Sequence, residues 1–511
     1  MLRAACLLSA FSLLAVAGRS DATPEIAFSS YQVPTSGVVV VPVRAGDAPG
    51  DSFEQVDAAA GGALRRAMAA TGFKGGENER LSLAGIAPYD QVLLVGVADG
   101  TLTPRQLQDF GGHAVQGLKG DAATPADLLW SGAEPEAAEH IALGAQLGGY
   151  RFDRYRTGAT ATAATRTLVA RTPLGDAAAQ AYAAEWKPLA SAVAFARDLV
   201  TEPGNVVSPE VFVERTRAAF RGVPGVRIEV LDVPAMEKLG MGSLLAVGQG
   251  SVRPPRLLVV RYDGAAAGEA PIAFVGKGIT FDSGGLSIKP SDGMWRMKYD
   301  MTGAAVSTGT VLALAQRRAP VNAVAVAALA ENMPSGSAAR PGDVVRTMSG
   351  RTYEIISADA EGRMVLVDAL WYVQQTHRPR AIVDVATLTG AIVTALGDEY
   401  AGLFANDETL ATRLVQAGAA SGEELWRMPI HPSYAKDLES PIADLRNGGG
   451  RPGAGTAAYF LSQWIQDGTP WAHLDIAGMA WRESAGTATS PSGATAFGVR
   501  LLDRLVRDHY E

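Results

Sequence analysis

Short apolar runs alternate with segments of helical length through the second half of the chain. The runs lie at residues 257–260, 272–275, 323–329 and 381–386. Runs of this length are typical of strands that are buried on both faces of a largely parallel sheet. Segments 302–317 and 363–375, which lie between them, have helical length and apolar spacing. The sequence therefore predicts an α/β fold, in which ligands bind beyond the carboxyl ends of the strands.

The first half of the chain shows the same alternation more weakly. Runs at 37–42 and 91–95 have strand character and are separated by Ala-rich helical stretches, which indicates a small α/β domain without a catalytic motif. Residues 176–200 are predicted to form one long helix. A length of 511 residues also favours more than one domain.

The first 22 residues have the layout of a secretory signal. Arg3 gives a basic start, residues 4–17 are apolar apart from two serines, and residues 15–17 form a small-x-small cleavage pattern. We expect residues 1–22 to be a signal peptide cleaved after Ala17, and the protein to be periplasmic or secreted. The alternative is a mis-chosen start or a disordered tail on a cytoplasmic protein. The run is too short to span a bilayer, and no later stretch is apolar for long enough.

The single cysteine, Cys6, lies inside the predicted signal segment. Without that segment the chain has no thiol, so neither a disulfide nor a cysteine-based zinc site is expected. The net charge of −8 gives no support to a nucleic-acid or anionic-membrane partner.

The residues that indicate chemistry lie in three segments. Segment 275–289 (VGKGITFDSGGLSIK) carries Lys277, Asp282 and Lys289 among glycines. Asp300 follows in the segment MKYDM, and Asp359 and Glu361 lie in SADAEGRM. A short strand is expected to end near residue 275 and to run into a Gly-rich loop.

Other familiar sites do not fit the sequence. Lys277 does not belong to a phosphate-binding loop, since Pro271 stands where glycine is needed and Gly278 stands where Ser or Thr is needed. Segment 248–250 lacks the third glycine of a dinucleotide fingerprint, and no serine lies in a nucleophile elbow. The six histidines are scattered without a His-Glu-x-x-His pair, which argues against a His-rich zinc site.

Four carboxylates in apolar, Gly-rich surroundings are costly to bury unless cations compensate them. Two metal ions need bridging carboxylates as well as terminal ones. Asp359 and Glu361 are two residues apart, which places both side chains on one side of an extended segment, before a helix that Arg363 opens. Taken singly, each acid is better explained as a cap or turn residue. Their combination is what indicates a metal site.

The three segments resemble the leucyl aminopeptidase (cytosol aminopeptidase) family of two-metal peptidases. Near-verbatim family blocks lie at 275–285, 297–301 and 359–363, and further similar stretches lie at 331–336, 386–391, 443–447 and 471–478. The resemblance covers residues 185–505 and is only loose before them. It implies metal-dependent hydrolysis of the N-terminal peptide bond, with Leu or other apolar N-terminal residues preferred.

The resemblance also implies roles for individual residues. The metal ligands would be Lys277, Asp282, Asp300, Asp359 and Glu361. Asp282 and Glu361 would bridge two divalent ions, either Zn or Mn, with Mg and Co as alternatives. Lys289 and Arg363 match the two catalytic positions, and the arginine would hold a bicarbonate ion as general base. Met297, Thr387 and Gly390 fall where the family lines the pocket for the first side chain.

At the level of domains, the resemblance implies a small N-terminal α/β domain and a larger C-terminal catalytic domain with a mixed, largely parallel sheet flanked by helices. We expect the N-terminal domain at 24–170, a linker helix region at 171–200 and the peptidase domain at 201–511. Relatives form hexamers with the catalytic domains inside, so a homohexamer that acts on peptides is expected.

The sequence departs from the family pattern at Ser357, Ala358 and Met364, where relatives carry Asn, Thr and Leu. Loss of supporting hydrogen bonds can lower metal affinity or activity by about 10–100-fold. Two rival functions are a DNA-binding role and a catalytically inactive homologue. The acidic net charge argues against the first, and the complete set of matched residues argues against the second.

Overall fold

The computed structural model describes residues 23–46, 48–119, 123–134, 136–157, 166–266, 268–484 and 486–511. The predicted signal peptide, residues 1–22, lies outside these residues. In the described part the chain forms two α/β halves, each built on its own sheet, which confirms the predicted fold class. No described helix is both long enough and apolar enough to cross a bilayer.

The N-terminal half is a six-stranded sheet, within the described residues, with helices on both faces. Its strands are β1 Glu25–Ser30, β2 Gly37–Arg44, β3 Arg80–Ala84, β4 Tyr89–Val97, β5 Ala126–Leu129 and β6 Thr167–Thr172. Its helices are α1 Asp51–Ala59, α2 Ala63–Thr71, α3 Pro104–Gly117 and α4 Ala137–Gly148. The strand order is β1-β6-β5-β2-β4-β3, and only the β3–β4 pair is antiparallel.

Strand β2 shows why this half needs helices on both sides. Val39 and Val41 point to the face covered by α1 and α2, whereas Val40 points to the face covered by α3 and α4. Since side chains alternate along a strand, a continuous valine run buries both faces at once. The predicted strands at 37–42 and 91–95 are confirmed as β2 and β4.

A long helical segment leads from the first half to the second. It consists of α5 Gly175–Ala181, a π-helical turn Tyr182–Trp186 and α6 Lys187–Thr201, which confirms the helix predicted at 176–200. Arg197 of α6 is buried and donates hydrogen bonds to three carbonyl oxygens, those of Leu147 at 2.8 Å, Thr489 at 2.9 Å and Thr495 at 3.1 Å. Burial lowers the pKa of Arg197 to about 10, so the side chain is still charged at neutral pH.

The C-terminal half contains the larger sheet. Its strands and those of two small sheets are β7 Val226–Leu231, β8 Arg256–Asp263, β9 Ile272–Asp282, β10 Asn322–Asn332, β11 Val344–Arg346, β12 Thr352–Glu354, β13 Ala381–Ala386, β14 Ala401–Ala405, β15 Leu425–Arg427, β16 Leu445–Arg446, β17 Trp471–Asp475, β18 Trp481–Arg482 and β19 Gly493–Ala494. The helices are α7 Pro209–Ala219, α8 Val233–Leu239, α9 Gly242–Gly248, α10 Thr302–Gln316, α11 Glu361–His377, α12 Gly390–Leu396, α13 Glu408–Ser421, α14 Gly453–Ser462 and α15 Val499–His509. Two 3₁₀ helices lie at Met294–Met301 and Pro432–Leu438.

Among the described residues, the larger sheet has eight strands in the order β15-β14-β17-β13-β9-β10-β8-β7. The central strands β17, β13, β9 and β10 are parallel, and the antiparallel pairs lie outside them. Helices α6, α7, α10, α13 and α15 pack on one face, and α8, α9, α11 and α14 pack on the other. This is the predicted mixed, largely parallel sheet between helices.

Two local predictions were wrong. Residues 276–282, expected to form a Gly-rich loop, continue β9 as buried strand. The glycines are there because α10 packs directly on the strand: a Cβ on Gly276 would lie 2.4 Å from the carbonyl oxygen of Gly303. The helix expected to open at Arg363 begins at Glu361 instead, which places a carboxylate in the first turn, where the helix dipole favours it.

Gly303 lies in the first turn of α10, where the helix meets β13. A Cβ at this position would lie 2.0 Å from the carbonyl oxygen of Val385, a backbone atom that cannot turn aside. We therefore expect Gly303→Ala to lower the free energy of unfolding by about 3 kcal/mol, at the upper end of the cost of overpacking.

Urea unfolding followed by circular dichroism checks this value. Gly336→Ala is the matched control, because a Cβ at Gly336 would meet no atom within 4 Å and should leave stability nearly unchanged. Equal stabilities of the two variants would contradict the close packing of α10 on the sheet.

Candidate functional site

The candidate site lies at the carboxyl ends of the central parallel strands. Asp282 is the last residue of β9, and its neighbour across the sheet is Asn332, the last residue of β10. On the other side β13 ends at Ala386, and Thr387 follows directly. Because these strands are parallel, their ends meet at one edge of the sheet, as predicted for an open α/β fold.

Lys277 lies within β9 and is almost completely buried. Its Nζ lies 2.8 Å from Asp300 Oδ2 and 2.9 Å from Glu361 Oε1. The same ammonium donates a hydrogen bond to the carbonyl oxygen of Thr387 at 2.8 Å. Lys277 therefore joins the last residues of the 3₁₀ helix Met294–Met301 to the first residue of α11.

A second lysine joins the other two carboxylates. Lys289 Nζ lies 2.7 Å from Asp282 Oδ2 and 2.5 Å from Asp359 Oδ1. Asp282 is buried, whereas Asp359 and Lys289 are partly open to solvent, with 34% and 22% of their side chains exposed. All four predicted carboxylates and both predicted lysines thus come together, and the cluster is closed on the Lys277 side and open on the Lys289 side.

Two of the six side chains are held in place by neutral neighbours. Asn332 Nδ2 donates to Asp282 Oδ1 at 2.8 Å and to the carbonyl oxygen of Ala358 at 3.0 Å. Thr387 Oγ1 donates to Asp300 Oδ1 at 2.6 Å. Asn332 was not among the predicted site residues, although a polar residue at the end of an apolar strand is a signal that indicates such a position.

The electrostatics of the cluster follow from burial and close charges. Burial raises the pKa of Asp282 to about 7, and the charge of Glu361 acts in the same direction. Burial also raises the pKa of Asp300 well above its usual value. Burial acts to lower the pKa of Lys277, but the charges of Asp300 and Glu361 outweigh it and the net shift is upward. At Glu361, by contrast, burial is outweighed by the charges of Lys277 and Lys289, which lower its pKa, so the close charges act differently on the individual acids.

Two carboxylate oxygens of the cluster, Asp300 Oδ2 and Glu361 Oε2, have no hydrogen-bond partner among the described residues, but Asp300 Oδ2 lies 2.8 Å from the ammonium of Lys277. Glu361 Oε2 is buried and accepts no hydrogen bond, although Glu361 Oε1 lies beside Lys277. Carboxylate oxygens of Asp282, Asp359 and Glu361 lie within 4.8 Å of one another, a spacing that suits a shared cation. Burial of an unpaired carboxylate oxygen raises the free energy of the folded state by roughly several kcal/mol unless a cation or a hydrogen-bond donor reaches it. The cluster therefore has the donors that a divalent ion needs.

Arg363 lies two residues after Glu361 but outside the ion-paired cluster. Its guanidinium donates to the carbonyl oxygen of Asn447 at 2.9 Å, and its Nε has no partner within the described chain. Burial lowers the pKa of Arg363 to about 10, against the charges of Glu361 and Asp475. A buried guanidinium with a free N–H group is suited to bind a planar oxyanion.

The three departures from the family pattern are accommodated by local hydrogen bonds. The backbone N–H of Asp359 donates to Ser357 Oγ at 3.2 Å, so Ser357 keeps a supporting role. The side chain of Ala358 has no hydrogen-bonding group, and its backbone N–H donates to Ser287 Oγ at 3.0 Å. Met364 Sδ accepts a weak hydrogen bond from Asn447 Nδ2 at 3.3 Å.

The predicted pocket residues lie around the cluster in different ways. Thr387 belongs to the cluster through its bonds to Lys277 and Asp300. Met297 is half-buried on the 3₁₀ helix that ends beside Asp300, and Gly390 is exposed at the start of α12. Among the described residues, the side chain of Met297 forms no hydrogen bond with the cluster, and Gly390 has no side chain that could. A Cβ on Gly390 would meet no atom within 4 Å, so there is open space beside it.

Comparison with known proteins agrees with this geometry. Residues 194–503 match the catalytic domain of the cytosol aminopeptidase family, and residues 40–159 match its N-terminal domain. A protein of Caulobacter vibrioides named "Probable cytosol aminopeptidase" is 46% identical over 488 residues, which is 94% of this chain and 98% of the relative. A similarly named protein of Chelativorans is 46% identical over 500 residues, or 96% of this chain and 99% of the relative.

Solved structures are similar over nearly the whole chain. The bottromycin maturation enzyme BotP in complex with Mn has a TM-score of 0.80 at 34% identity and covers 93% of this chain and 99% of its own. A mutant of tomato leucine aminopeptidase has a TM-score of 0.83 at 30% identity and covers 96% and 98%. Fold and site together define a peptidase of the hydrolase class.

The chain belongs to the cytosol aminopeptidase family. It is therefore a metal-dependent aminopeptidase that acts on peptides and hydrolyses their N-terminal peptide bond.

Proposed function

We propose that the cluster is a two-metal centre that releases the first residue of a peptide. Lys277, Asp282, Asp300, Asp359 and Glu361 would be the ligands, with Asp282 and Glu361 shared between the two ions. The observation that carries this proposal is the unpaired, buried Glu361 Oε2 beside the carboxylates of Asp282 and Asp359. The proposal accounts for that oxygen, since a bound cation would be its missing partner.

The donor set fits divalent ions. Four carboxylates against two ammonium groups leave the cluster a formal charge of −2, which favours the binding of divalent cations. Carboxylate oxygens and an amine suit Zn, Mn, Mg and Co. Lys277 Nζ occupies the place of a cation between Asp300 and Glu361, and as a ligand it would be neutral, because adjacent dications favour the deprotonated amine. The Mn of BotP supports Mn as the first ion to test, with Zn next and Mg and Co as alternatives.

When bound, two such ions supply Lewis acidity, which polarises a carbonyl group and lowers the pKa of water. Lys289 lies on the open side of the cluster, where its ammonium would stabilise the negative charge that develops on the carbonyl oxygen. Arg363 would hold a bicarbonate ion, which when bound can act as a general base. Its free Nε and buried guanidinium support this role.

The proposed ions would also account for the restriction to N-termini. A free α-amine could contact a divalent ion held by the cluster, and an internal peptide bond has no such group to offer. Met297, Thr387 and Gly390 would line the pocket for the first side chain, with Leu and other apolar residues preferred. The preference should be broad, because one methylene changes binding by only about 1–3 kcal/mol.

Glu361→Gln tests the proposal directly, since it keeps the shape of the side chain and removes its charge. We expect hydrolysis of a leucine anilide to fall by more than about 100-fold, beyond the usual effect of a supporting residue, together with a lower metal content per chain. Activity assays and elemental analysis of the purified protein check both. Glu139→Gln is the matched control, because Glu139 is also buried but lies in α4 and accepts a hydrogen bond from Trp186. Full activity of Glu361→Gln would refute the assignment.

Asn332 provides a second, subtler test. Asn332→Ala removes the amide that fixes Asp282 and the carbonyl of Ala358, so kcat/KM should fall by about 10–100-fold in folded protein. Asn322→Ala is the control, because Asn322 lies at the opposite end of β10 and its side chain bonds only to backbone groups of Ala265, Ala266 and Glu269. An equal loss of kcat/KM in both variants would show that the effect of Asn332 is one of stability alone.

The remaining features of the proposal concern assembly and location. We propose a homohexamer with the catalytic domains inside, the domain ranges 24–170, 171–200 and 201–511, and a periplasmic or secreted protein. The related proteins are named cytosol aminopeptidases, which favours the cytoplasmic alternative. Light scattering should give six times the mass of the purified chain, and N-terminal sequencing of exported protein should begin after Ala17. Detection of uncleaved protein only in the cytoplasm would refute export.

A further inference from the structure

A cavity of about 890 Å³ lies between the two halves of the molecule, and none of the proposed metal ligands lines it. Its walls come from residues 150–156 of the N-terminal half, from 292–296 at the start of a 3₁₀ helix, and from the β18–β19 hairpin. Ligand sites are typically of this size and often lie between domains. Neither the cluster nor the pocket residues proposed above use this space.

Two tryptophans give the cavity an aromatic wall. Trp295 is 61% exposed, and Trp481 packs against it edge to face, with ring centroids 6.2 Å apart and an interplanar angle of 81°. The amine of Lys298 lies 5.3 Å from the Trp481 ring. An indole that is left exposed over an aromatic floor offers a surface for another ring or an apolar side chain.

The rest of the lining is rich in arginine. Arg151 and Arg156 pair with Asp153, and Arg296 pairs with Glu483. Arg482 forms no ion pair with any residue that the structure describes, although it lines the same cavity. Four arginines against three lining acids, Asp153, Asp292 and Glu483, leave an excess of positive charge. The cavity therefore suits a carboxylate next to an aromatic group, the opposite of the acidic cluster nearby.

Each of the two segments that carry the tryptophans is connected along the chain to residues of the cluster or of the proposed pocket. Trp295 and Asp300 lie five residues apart on the 3₁₀ helix Met294–Met301, a rise of about 10 Å. An extended peptide covers about 3.4 Å per residue, so about three residues span that length. On the other wall, Trp481 follows β17, whose last residue Asp475 binds the backbone of Leu388 and the hydroxyl of Thr389 beside the proposed pocket.

We propose that this cavity binds the part of a peptide substrate that follows the scissile bond, at about its third and fourth residues. Trp295 would contact an aromatic side chain, and Arg482 would bind a carboxylate. That carboxylate is either an acidic side chain or the free carboxyl terminus of a short peptide. The inference rests on the proposed function, because the first residue of the substrate must lie at the cluster.

The test compares peptides with an anilide that cannot reach the cavity. The substrates are leucine anilide, Leu-Gly-Gly-Phe as free acid, the same peptide as an amide, and Leu-Gly-Glu-Phe amide. We expect Trp295→Ala and Arg482→Ala each to lower the ratio of kcat/KM for the free-acid peptide to that for the anilide by about fivefold, mainly through KM. For Arg482→Ala the loss should be absent with Leu-Gly-Gly-Phe amide. If Leu-Gly-Glu-Phe amide shows the loss, the acidic side chain is the source of the carboxylate, and if only the free acid shows it, the terminus is.

Trp426→Ala is the matched control, since Trp426 is 55% exposed on β15 and does not line the cavity. The ratio should stay constant in that variant. Unchanged ratios in both Trp295→Ala and Arg482→Ala would overturn the proposal, and a changed particle mass with unchanged ratios would assign this face to subunit contact instead. Failure of the wild-type protein to hydrolyse the anilide would refute the proposed function itself, which separates the two outcomes.

Discussion

The need to compensate buried carboxylates at the end of one strand governs the architecture of this protein. Asp282 ends β9, and Asp300, Asp359 and Glu361 are brought to it by a 3₁₀ helix, by the segment before α11 and by its first turn. Lys277 reaches Asp300 and Glu361 only because β9 stays extended and buried through residue 282. The glycines at 276, 278 and 303 serve the same arrangement. Because they lack a Cβ, α10 can lie directly on β9, the strand that carries Lys277.

Much of this arrangement could be predicted from the sequence, because the signals for it lie within short stretches of the chain. The strand β13 was predicted with its observed bounds, since a short, mostly apolar run between polar segments is typical of a buried strand. The carboxylates and lysines were found because several acids in apolar surroundings are unusual. All six came together as expected, although their roles as ligands are inferred from chemistry and resemblance.

What the sequence could not predict depends on packing between distant segments. Glycines 276 and 278 look like a loop when only their neighbours in the chain are considered. Both are strand residues paired with β10, and they are glycines because Gly303, 27 positions after Gly276, packs on Gly276 and the next residue, Ala304, packs on Gly278. Asn332 was missed for a related reason, since its partner Asp282 lies 50 residues away and only the parallel pairing of β9 and β10 makes them neighbours. The cavity with Trp295 and Trp481 likewise arises from segments almost 190 residues apart.

The side chain of Arg197 has a consequence for how the two halves respond to heat. One charged group is bound by the carbonyls of α4 in the first half and of two segments near the carboxyl terminus of the second half. Melting of either half would remove at least one of the three acceptors of this cation, so partial unfolding is penalised from both sides. The two halves are thereby coupled in free energy, although each has a sheet and a core of its own.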